Sequence, residues 1–236
     1  MSIKVILFDL DGTLLPMNQD EFVNKYFTSL AINLGKYGYE PKGLIDTVMF
    51  GTMAMVKNDG KMTNEEMFWK KFSEIYGENA REDEPKFEKF YIDDFIKLKD
   101  SCGFNASSKI VIEKAKEKGL RLVLATNPIF PAIATKSRVS WAGLEVDDFE
   151  FITTYENSSF CKPNLNYYKE ILQKLNVSAD ECLMVGNDVS EDMIAEELGM
   201  RVFLLTDCLI NKKNSDITKY NKGNLENLIK YIEVSC

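Results

Sequence analysis

Histidine is absent from this sequence of 236 residues. A Ser–His or Cys–His nucleophile pair, a histidine-ligated zinc ion and a histidine proton shuttle are therefore all excluded. Any acid–base chemistry must instead use carboxylates, lysine, tyrosine, cysteine or metal-bound water.

Cysteine and long apolar runs are also scarce. The five cysteines are scattered along the chain and form no Cys-x-x-Cys pair, which is typical of reduced thiols in a cytosolic protein. The apolar run at the N-terminus meets Asp9 too early to be a signal peptide, and no run approaches the roughly 20 apolar residues that a membrane helix needs. We therefore expect a cytoplasmic protein with no membrane partner.

Positive charge is the third scarcity, since the formal net charge is −8. No stretch is rich in lysine or arginine, and a nucleic-acid backbone needs such a basic footprint, so a nucleic-acid polymer is not an expected partner. Acidic charge also repels anionic small molecules. A site for a phosphorylated molecule must therefore be made locally positive, most simply by a bound cation.

Short apolar runs without polar alternation predict strands that are buried on both faces of a parallel sheet. These runs cover residues 3–10, 120–125, 181–185 and 200–205. Helical patterns precede or follow them, and a polar loop at 209–223 precedes the last helix. The helical patterns cover residues 107–118, 164–175, 190–198 and 224–234. Alternating strands and helices predict an α/β fold with a doubly wound parallel sheet.

The stretch between the first two predicted strands has no convincing strand of its own. Amphipathic helical patterns fill it, at residues 21–34, 43–56, 64–76 and 86–99. A connection of this length is not an ordinary crossover. We therefore predict core residues 1–15, an all-helical cap at residues 16–100 and the rest of the core at residues 101–236. Ligands bind at the carboxyl ends of strands in such sheets, so the cap is expected to lie above the site.

Polar side chains follow three predicted strands or lie in the loop before a helix. They are Asp9, Asp11, Thr126, Asn127, Lys162, Asn187, Asp188 and Asp192. In a parallel sheet these loops converge on one edge, although they are far apart in sequence. The sequence therefore predicts one site built from four segments.

The residue types in this set suit phosphoryl chemistry. Crowded carboxylates require a cation, and oxygen ligands favour Mg²⁺. With the metal screening the charge, Asp9 can attack phosphorus and form an aspartyl-phosphate, while Asp11 protonates the leaving oxygen and later activates water. Thr126 and Asn127 can hold the phosphoryl oxygens, and Lys162 supplies a fixed positive charge.

Each segment also has a purely structural interpretation. An Asp-x-Asp near a strand end can be a turn with a helix cap, Thr126-Asn127 can be a turn, and Lys162 can be a solvated lysine. Asp188 and Asp192 can be a helix N-cap and a first-turn charge. Four independent structural explanations, in this order and all near strand ends, are less plausible than one site.

The four segments together resemble the motifs of the haloacid dehalogenase-like (HAD) hydrolase superfamily, in the order of that family. They are Asp9-Leu10-Asp11-Gly12-Thr13-Leu14, Ala125-Thr126-Asn127, Lys162-Pro163, and Gly186-Asn187-Asp188 with Asp192. The resemblance covers essentially the whole chain. It implies a Rossmann-like core, Mg²⁺ and an aspartyl-phosphate intermediate, and the helical segment resembles the cap that this family inserts after its first motif.

The resemblance also implies individual roles. Asp9 matches the nucleophile and a metal ligand, and Asp11 matches the general acid/base whose backbone carbonyl is a second metal ligand. Thr126 and Lys162 match the phosphate-binding hydroxyl and lysine, and Asp188 matches the last metal carboxylate.

The fourth motif departs from the family pattern, because many members have Gly-Asp where this chain has Gly186-Asn187. Asp188 is the preferred metal ligand. Asn187 or Asp192 could instead touch the metal or hold one of its waters.

The expected function is Mg²⁺-dependent hydrolysis of a small soluble phosphomonoester. A phosphosugar mutase uses the same residues. A 2-haloacid dehalogenase is similar but lacks the aspartate that matches Asp11, because its halide leaving group needs no proton. A non-catalytic binding module on this fold is expected to lose Asp9, Asp11 or Lys162, which are all present.

Large apolar residues of the predicted cap have two interpretations. They could form a substrate-facing wall, or they could be the cap's own core, which their helical spacing favours. The residues are Phe22, Tyr26, Met49, Met53, Phe68 and Trp69. The sequence leaves the substrate's identity and the oligomeric state open.

Overall fold

A parallel sheet forms the centre of the computed structural model, which describes residues 2–236. Its strands are β1 (Val5–Phe8), β2 (Arg121–Leu124), β3 (Phe151–Ile152), β4 (Cys182–Gly186), β5 (Arg201–Leu205) and β6 (Asn221–Gly223). They lie in the order β3-β2-β1-β4-β5-β6, and every neighbouring pair is parallel. The predicted α/β fold with a doubly wound, Rossmann-like parallel sheet is confirmed.

Helices cover both faces of the sheet and fill the long connection after β1. They are α1 (Gln19–Gly35), α2 (Pro41–Val56), α3 (Asn64–Tyr76), α4 (Glu84–Asp93), α5 (Ser107–Glu117), α6 (Ala132–Trp141), α7 (Leu165–Leu175) and α8 (Leu225–Ser235). No helix within residues 2–236 combines the length and apolar character needed to cross a membrane.

The central strand β1 is buried on both faces because two apolar layers sandwich the sheet. Ile6 and Phe8 belong to one layer, whereas Val5 and Leu7 belong to the other. Successive side chains of a strand point to opposite faces, so a strand between two layers must be apolar throughout. This explains why its run lacks polar alternation.

Five α-helices lie between β1 and β2, and the first four of them, α1–α4, form a helical insert. Capping residues fix the start of two of these helices. Pro41 follows the capping residue Glu40 at the start of α2, and Thr63 and Glu66 form a capping box at the start of α3. The two ends of the insert meet, because Gly103 N donates to the Pro16 carbonyl at 2.7 Å. The function of the insert as a cap, and the predicted boundaries of the three segments, stay predictions.

Two edge strands and one helix were not predicted from the sequence patterns. β3 has only two residues, and β6 has the sequence Asn-Lys-Gly and lies inside the stretch expected to be a loop. Both strands exist because a neighbouring strand supplies their hydrogen-bond partners. The helix α6, which carries an important residue of the site, also has no counterpart among the predicted helices.

Two predicted helices differ in form. The pattern at 86–99 gives α4 followed by a 3₁₀ helix (Phe95–Ser101), because the chain turns so that Phe95 can stack on Trp141 with ring centroids 5.2 Å apart. The pattern at 190–198 gives a 3₁₀ helix (Met193–Leu198) instead of an α-helix.

Candidate active site

The segments that carry the predicted site residues meet at the carboxyl edge of the sheet, around the end of β1. Asp9 N donates to the Val185 carbonyl of β4 at 2.9 Å, and Ala125 N donates to the Phe8 carbonyl at 2.7 Å. The loops that follow β1, β2 and β4 are therefore neighbours.

A tight turn after β1 presents Asp9. Leu15 N and Thr13 N both donate to the Leu10 carbonyl, at 2.8 and 3.1 Å, while Gly12 adopts a left-handed φ of +83°. A Cβ at Gly12 would lie 2.3 Å from Asn187 Nδ2. Glycine is thus required both by its backbone conformation and by the close approach of the loop after β4.

Asp9 is buried, with 8% of its area exposed, and both carboxylate oxygens have donors. Thr13 Oγ1 lies 3.1 Å from Oδ2, and Lys162 Nζ lies 2.9 Å from Oδ1. The Thr13 hydroxyl is also 2.9 Å from Asn187 Oδ1. These contacts hold one carboxylate oxygen of Asp9 against a cation and link it to the loop after β4.

Lys162 is the buried cation of the site, with only 1% of its area exposed. Its ammonium contacts Asp9 Oδ1 and, at 2.6 Å, Asp192 Oδ1. Burial disfavours the charge, but the carboxylates of Asp192 and Asp9 outweigh it and raise the pKa of Lys162 well above its ordinary value. The lysine is therefore a fixed positive charge.

Asp192 shares that one cation with Asp9. Burial raises the pKa of Asp192 to about 7, with repulsion from Asp9 adding to the shift and attraction to Lys162 opposing it. Asp192 can approach so closely only because residue 186 is glycine: a Cβ at Gly186 would lie 2.1 Å from Asp192 Oδ2.

Asp188 begins the turn after β4. Its Oδ1 accepts from Ser190 N at 2.7 Å and from Glu191 N at 2.9 Å, and its own N–H donates to Asp192 Oδ2 at 2.9 Å. No described residue donates a hydrogen bond to Asp188 Oδ2. One oxygen of this carboxylate thus orders the turn and the other is available to a ligand.

The loop after β2 is tied to the same network. Asn127 Oδ1 accepts from Lys162 N at 3.2 Å, and Asn127 Nδ2 donates to Glu191 Oε2 at 3.1 Å. The Thr126 carbonyl accepts from Tyr167 OH at 2.9 Å and from Thr153 Oγ1 at 2.6 Å. The backbone beside Thr126 is therefore anchored from two other segments.

Asp11 has a partner that the sequence analysis missed. Its Oδ2 pairs with Nη1 of Arg138 on α6, and Arg138 is 1% exposed. The guanidinium carbon lies 4.6 Å from the centre of the Phe130 ring. The signal that could have revealed Arg138 is a charged residue on the apolar face of a helix.

The other Asp11 oxygen, Oδ1, is buried and has no hydrogen-bond partner among residues 2–236. Burial raises the pKa of Asp11. The positive charge of Arg138 opposes this increase, and repulsion from Asp9 adds to it. A carboxyl group with one anchored oxygen and a raised pKa is suited to carry a proton.

The structure thus brings together Asp9, Asn127, Lys162, Asn187 and Asp192 through a continuous set of hydrogen bonds. No hydrogen bond within residues 2–236 joins the side chain of Asp11, Thr126 or Asp188 directly to this set. Nor do three His, Cys, Asp or Glu side chains lie at metal-binding spacing in this part of the chain. The catalytic and metal-binding roles stay predictions.

Comparison with solved structures agrees with the fold. The HAD phosphatase from Thermococcus onnurineus matches with a TM-score of 0.59 at 17% identity, over 98% of each chain. The HAD-hydrolase YfnB from Bacillus subtilis, solved with bound magnesium, matches with a TM-score of 0.55 at 18% identity, over 98% of this chain and 99% of that one.

Comparison of sequences gives a curated relative and a family. The glyceraldehyde 3-phosphate phosphatase of Methanothermobacter thermautotrophicus is 28% identical over 112 residues, which are 47% of this chain and 45% of that protein. The chain therefore matches about half the length of this relative. The model of the haloacid dehalogenase-like hydrolase family matches residues 3–197, a range that includes every candidate residue described above. The chain belongs to the haloacid dehalogenase-like hydrolase family.

Proposed function

We propose that this protein is a Mg²⁺-dependent phosphatase that hydrolyses a small phosphomonoester through an aspartyl-phosphate on Asp9. The observation that carries the proposal is the buried contact of Lys162 with Asp9 and Asp192 at the carboxyl edge of the sheet. A buried ammonium lies against the carboxylate of Asp9, the proposed nucleophile, and adds positive charge where a phosphoryl group would bind.

The reaction proceeds in two displacements. A carboxylate oxygen of Asp9 attacks phosphorus, the bond from phosphorus to the ester oxygen breaks, and Asp11 donates a proton to the departing alkoxide. Water then attacks the phosphorus of the aspartyl-phosphate while Asp11 takes up its proton, which releases inorganic phosphate and restores Asp9. Thr126 and Asn127 hold the phosphoryl oxygens and Lys162 balances their charge.

The donor set around Asp9 fits Mg²⁺. The Asp9 and Asp188 carboxylates and the Asp11 backbone carbonyl are all oxygen donors, and no described residue donates to Asp188 Oδ2. Mg²⁺ is commonly held by one or two carboxylates, with waters and a substrate phosphate completing its shell, so a third acidic side chain is not needed. When bound, the ion supplies the positive charge that lets an anionic phosphate approach this acidic edge.

The relatives support the substrate class. The curated relative is named for a small phosphorylated substrate, and a solved structure of the same fold holds magnesium. A dehalogenase, which needs no proton donor, is less well supported, because Asp11 is present and anchored by Arg138.

Phosphate release tests the proposal. We expect the purified protein to hydrolyse p-nitrophenyl phosphate with MgCl₂, to lose at least about 100-fold in rate when EDTA is added, and to recover when excess Mg²⁺ is restored. A sugar bisphosphate should yield inorganic phosphate, whereas a mutase would return an isomer. Chloride release from 2-chloropropionate without any phosphate release would identify a dehalogenase and refute the proposal.

Arg138→Met should impair proton donation by Asp11 more than any other step, because it removes the group that anchors the carboxylate. We expect kcat/KM for an alkyl phosphate, which reports the steps up to departure of the alkoxide, to fall about 100-fold, the usual contribution of a general acid. The fall in kcat/KM for p-nitrophenyl phosphate should be much smaller, because p-nitrophenolate leaves without a proton. The exposed Lys136→Met on the same helix is the matched control. Equal losses of kcat/KM with both esters would mean that Arg138 does not act through proton donation by Asp11.

A further inference from the structure

An apolar cavity lies between the helical insert and the loop after β2. Its volume is about 240 Å³, and no charged side chain lines it. The aromatic part of its wall includes Tyr26, Phe68, Trp69 and Phe130, and Met49 and Met53 lie at its more exposed side. Five of the six apolar residues that the sequence left between a substrate wall and a packing core therefore line this cavity; Phe22 instead packs against Phe95 and Trp141.

The cavity is close to the candidate phosphate site because one short segment serves both. Asn127 belongs to the catalytic network, and Ile129, Phe130 and Pro131 line the cavity. The three Cα–Cα steps from residue 127 to residue 130 span at most about 11 Å even when fully extended. The cavity wall therefore begins within the length of a small organic molecule from the catalytic edge.

A buried asparagine fixes the far wall of the cavity to the same edge. Asn64, the first residue of α3, is fully buried, and its Nδ2 donates to the Pro128 carbonyl at 3.1 Å and contacts Cys161 Sγ at 3.4 Å. Those two partners adjoin Asn127 and Lys162. Because α3 also carries Phe68 and Trp69, the aromatic wall and the catalytic loops are held in one arrangement.

We infer that this cavity binds the organic group of the substrate, and that this group is apolar, with the size of a phenyl ring on a short chain. The inference rests on the proposed phosphatase function and names its substrate class. A cavity of about 150 Å³ is enough for benzene, so the observed volume admits a ring with a short linker to the phosphate.

Several polar groups of the wall are already engaged, which disfavours a sugar or polyol. The hydroxyls of Tyr26 and Tyr91 bond to each other at 3.0 Å, and Thr52 Oγ1 donates to the Val48 carbonyl at 2.9 Å. The exception is Trp69 Nε1, which is buried and has no hydrogen-bond partner within residues 2–236, so the wall offers a polyol one free donor at most among these groups. A polyol placed here would give up water without gaining equivalent hydrogen bonds. An aromatic or aliphatic group would instead gain burial against aromatic rings.

A series of primary alkyl phosphates tests the inference, because their leaving groups differ little in reactivity. We expect kcat/KM for 2-phenylethyl phosphate to exceed that for ethyl phosphate by about 10- to 100-fold, as burial of a phenyl ring predicts. Glycerol 3-phosphate should be no better than ethyl phosphate. A flat series, or a preference for glycerol 3-phosphate, would overturn the inference while leaving the phosphatase function intact.

Two substitutions locate the effect. Val23 lines the cavity and is 42% exposed, so Val23→Trp can fill its opening with little effect on folding; Ile32→Trp, at a 63% exposed position outside the cavity lining on the same helix, is the matched control. We expect Val23→Trp to remove the preference for 2-phenylethyl phosphate, mainly through KM, and Ile32→Trp to retain it. Met53→Lys, which places a charge at the wall, should act like Val23→Trp. An unchanged preference in both lining variants would contradict the assignment.

Calorimetric binding of 2-phenylethanol separates the two proposals. One molecule should bind to the wild-type protein and to Ile32→Trp, with at least tenfold weaker binding to Val23→Trp. If the alcohol binds in this way but no phosphate ester is hydrolysed, the cavity assignment stands as a binding site and the phosphatase function is wrong. If the alcohol does not bind, the cavity assignment is wrong, whatever the activity.

Discussion

Replacing Asp9 with asparagine should abolish phosphate release, with kcat lower by at least about 10⁴-fold, the scale on which loss of a nucleophile acts. An amide cannot attack phosphorus to give an aspartyl-phosphate. In the wild-type protein, Thr13 Oγ1 and Lys162 Nζ lie 3.1 and 2.9 Å from the Asp9 carboxylate oxygens. Asparagine has nearly the same shape as aspartate, so both groups still contact the side chain at position 9. The change therefore removes the chemistry and leaves the packing nearly intact. Initial rates with p-nitrophenyl phosphate and MgCl₂ measure it.

The matched control is Asp20→Asn, since Asp20 is an exposed residue in the first turn of α1. It changes the net charge of the chain by the same amount and should leave the rate within about twofold, as surface substitutions usually do. Acid-quenched protein provides a second readout, because wild-type protein should carry an acid-stable but alkali-labile phosphoryl group that Asp9→Asn lacks. If Asp9→Asn turned over like the wild type, another residue would have to be the nucleophile.

Replacing Lys162 with methionine should damage both stability and activity. The substitution keeps most of the side-chain volume but leaves Asp9 and Asp192 buried side by side without their shared cation. Breaking a buried ion pair in this way typically costs about 3–5 kcal/mol in the free energy of unfolding. Loss of a preorganised charge at the reacting phosphoryl group should lower kcat by about 10²–10³-fold. Chemical denaturation and initial rates measure the two effects.

Lys169→Met provides the control for this change. Lys169 is an exposed residue of the neighbouring helix α7, and its loss should change the free energy of unfolding by less than about 0.5 kcal/mol. A double substitution adds a second test: Asp192→Asn removes one of the two stranded carboxylates, so it should restore part of the stability lost in Lys162→Met. Normal stability in Lys162→Met alone would mean that the lysine does not balance these carboxylates.

The features that could be predicted from sequence are those that depend on local patterns. The run that forms β1 is apolar at every position because two layers cover it, and this holds for any strand at the centre of such a sheet. The boundaries of α3 agree with the pattern because Thr63 and Glu66 specify its start. The four motif segments could be assigned to one edge because parallel strands bring their carboxyl ends together.

The missed features depend on partners distant in sequence. β6 has no apolar residue, and it is a strand only because β5 offers free backbone groups beside it. Arg138 looks like an ordinary helix residue until the fold places Asp11 against it, 127 residues away in sequence. The positions of Asn187 and Asp192 depend on the close approaches of Gly12 and Gly186, which spacing along the chain does not reveal.

The sequence by itself determined the α/β class, the helical insert and the family motifs, and it predicted a set of candidate site residues. Each of these follows from short-range periodicity, from capping residues or from a short motif. Only the tertiary structure decided that Lys162 is shared between Asp9 and Asp192, that Arg138 anchors Asp11, and that an apolar cavity lies beside the candidate active site. Charge balance and cavity shape depend on side chains that are distant in sequence. They arise only when the fold brings those side chains into contact.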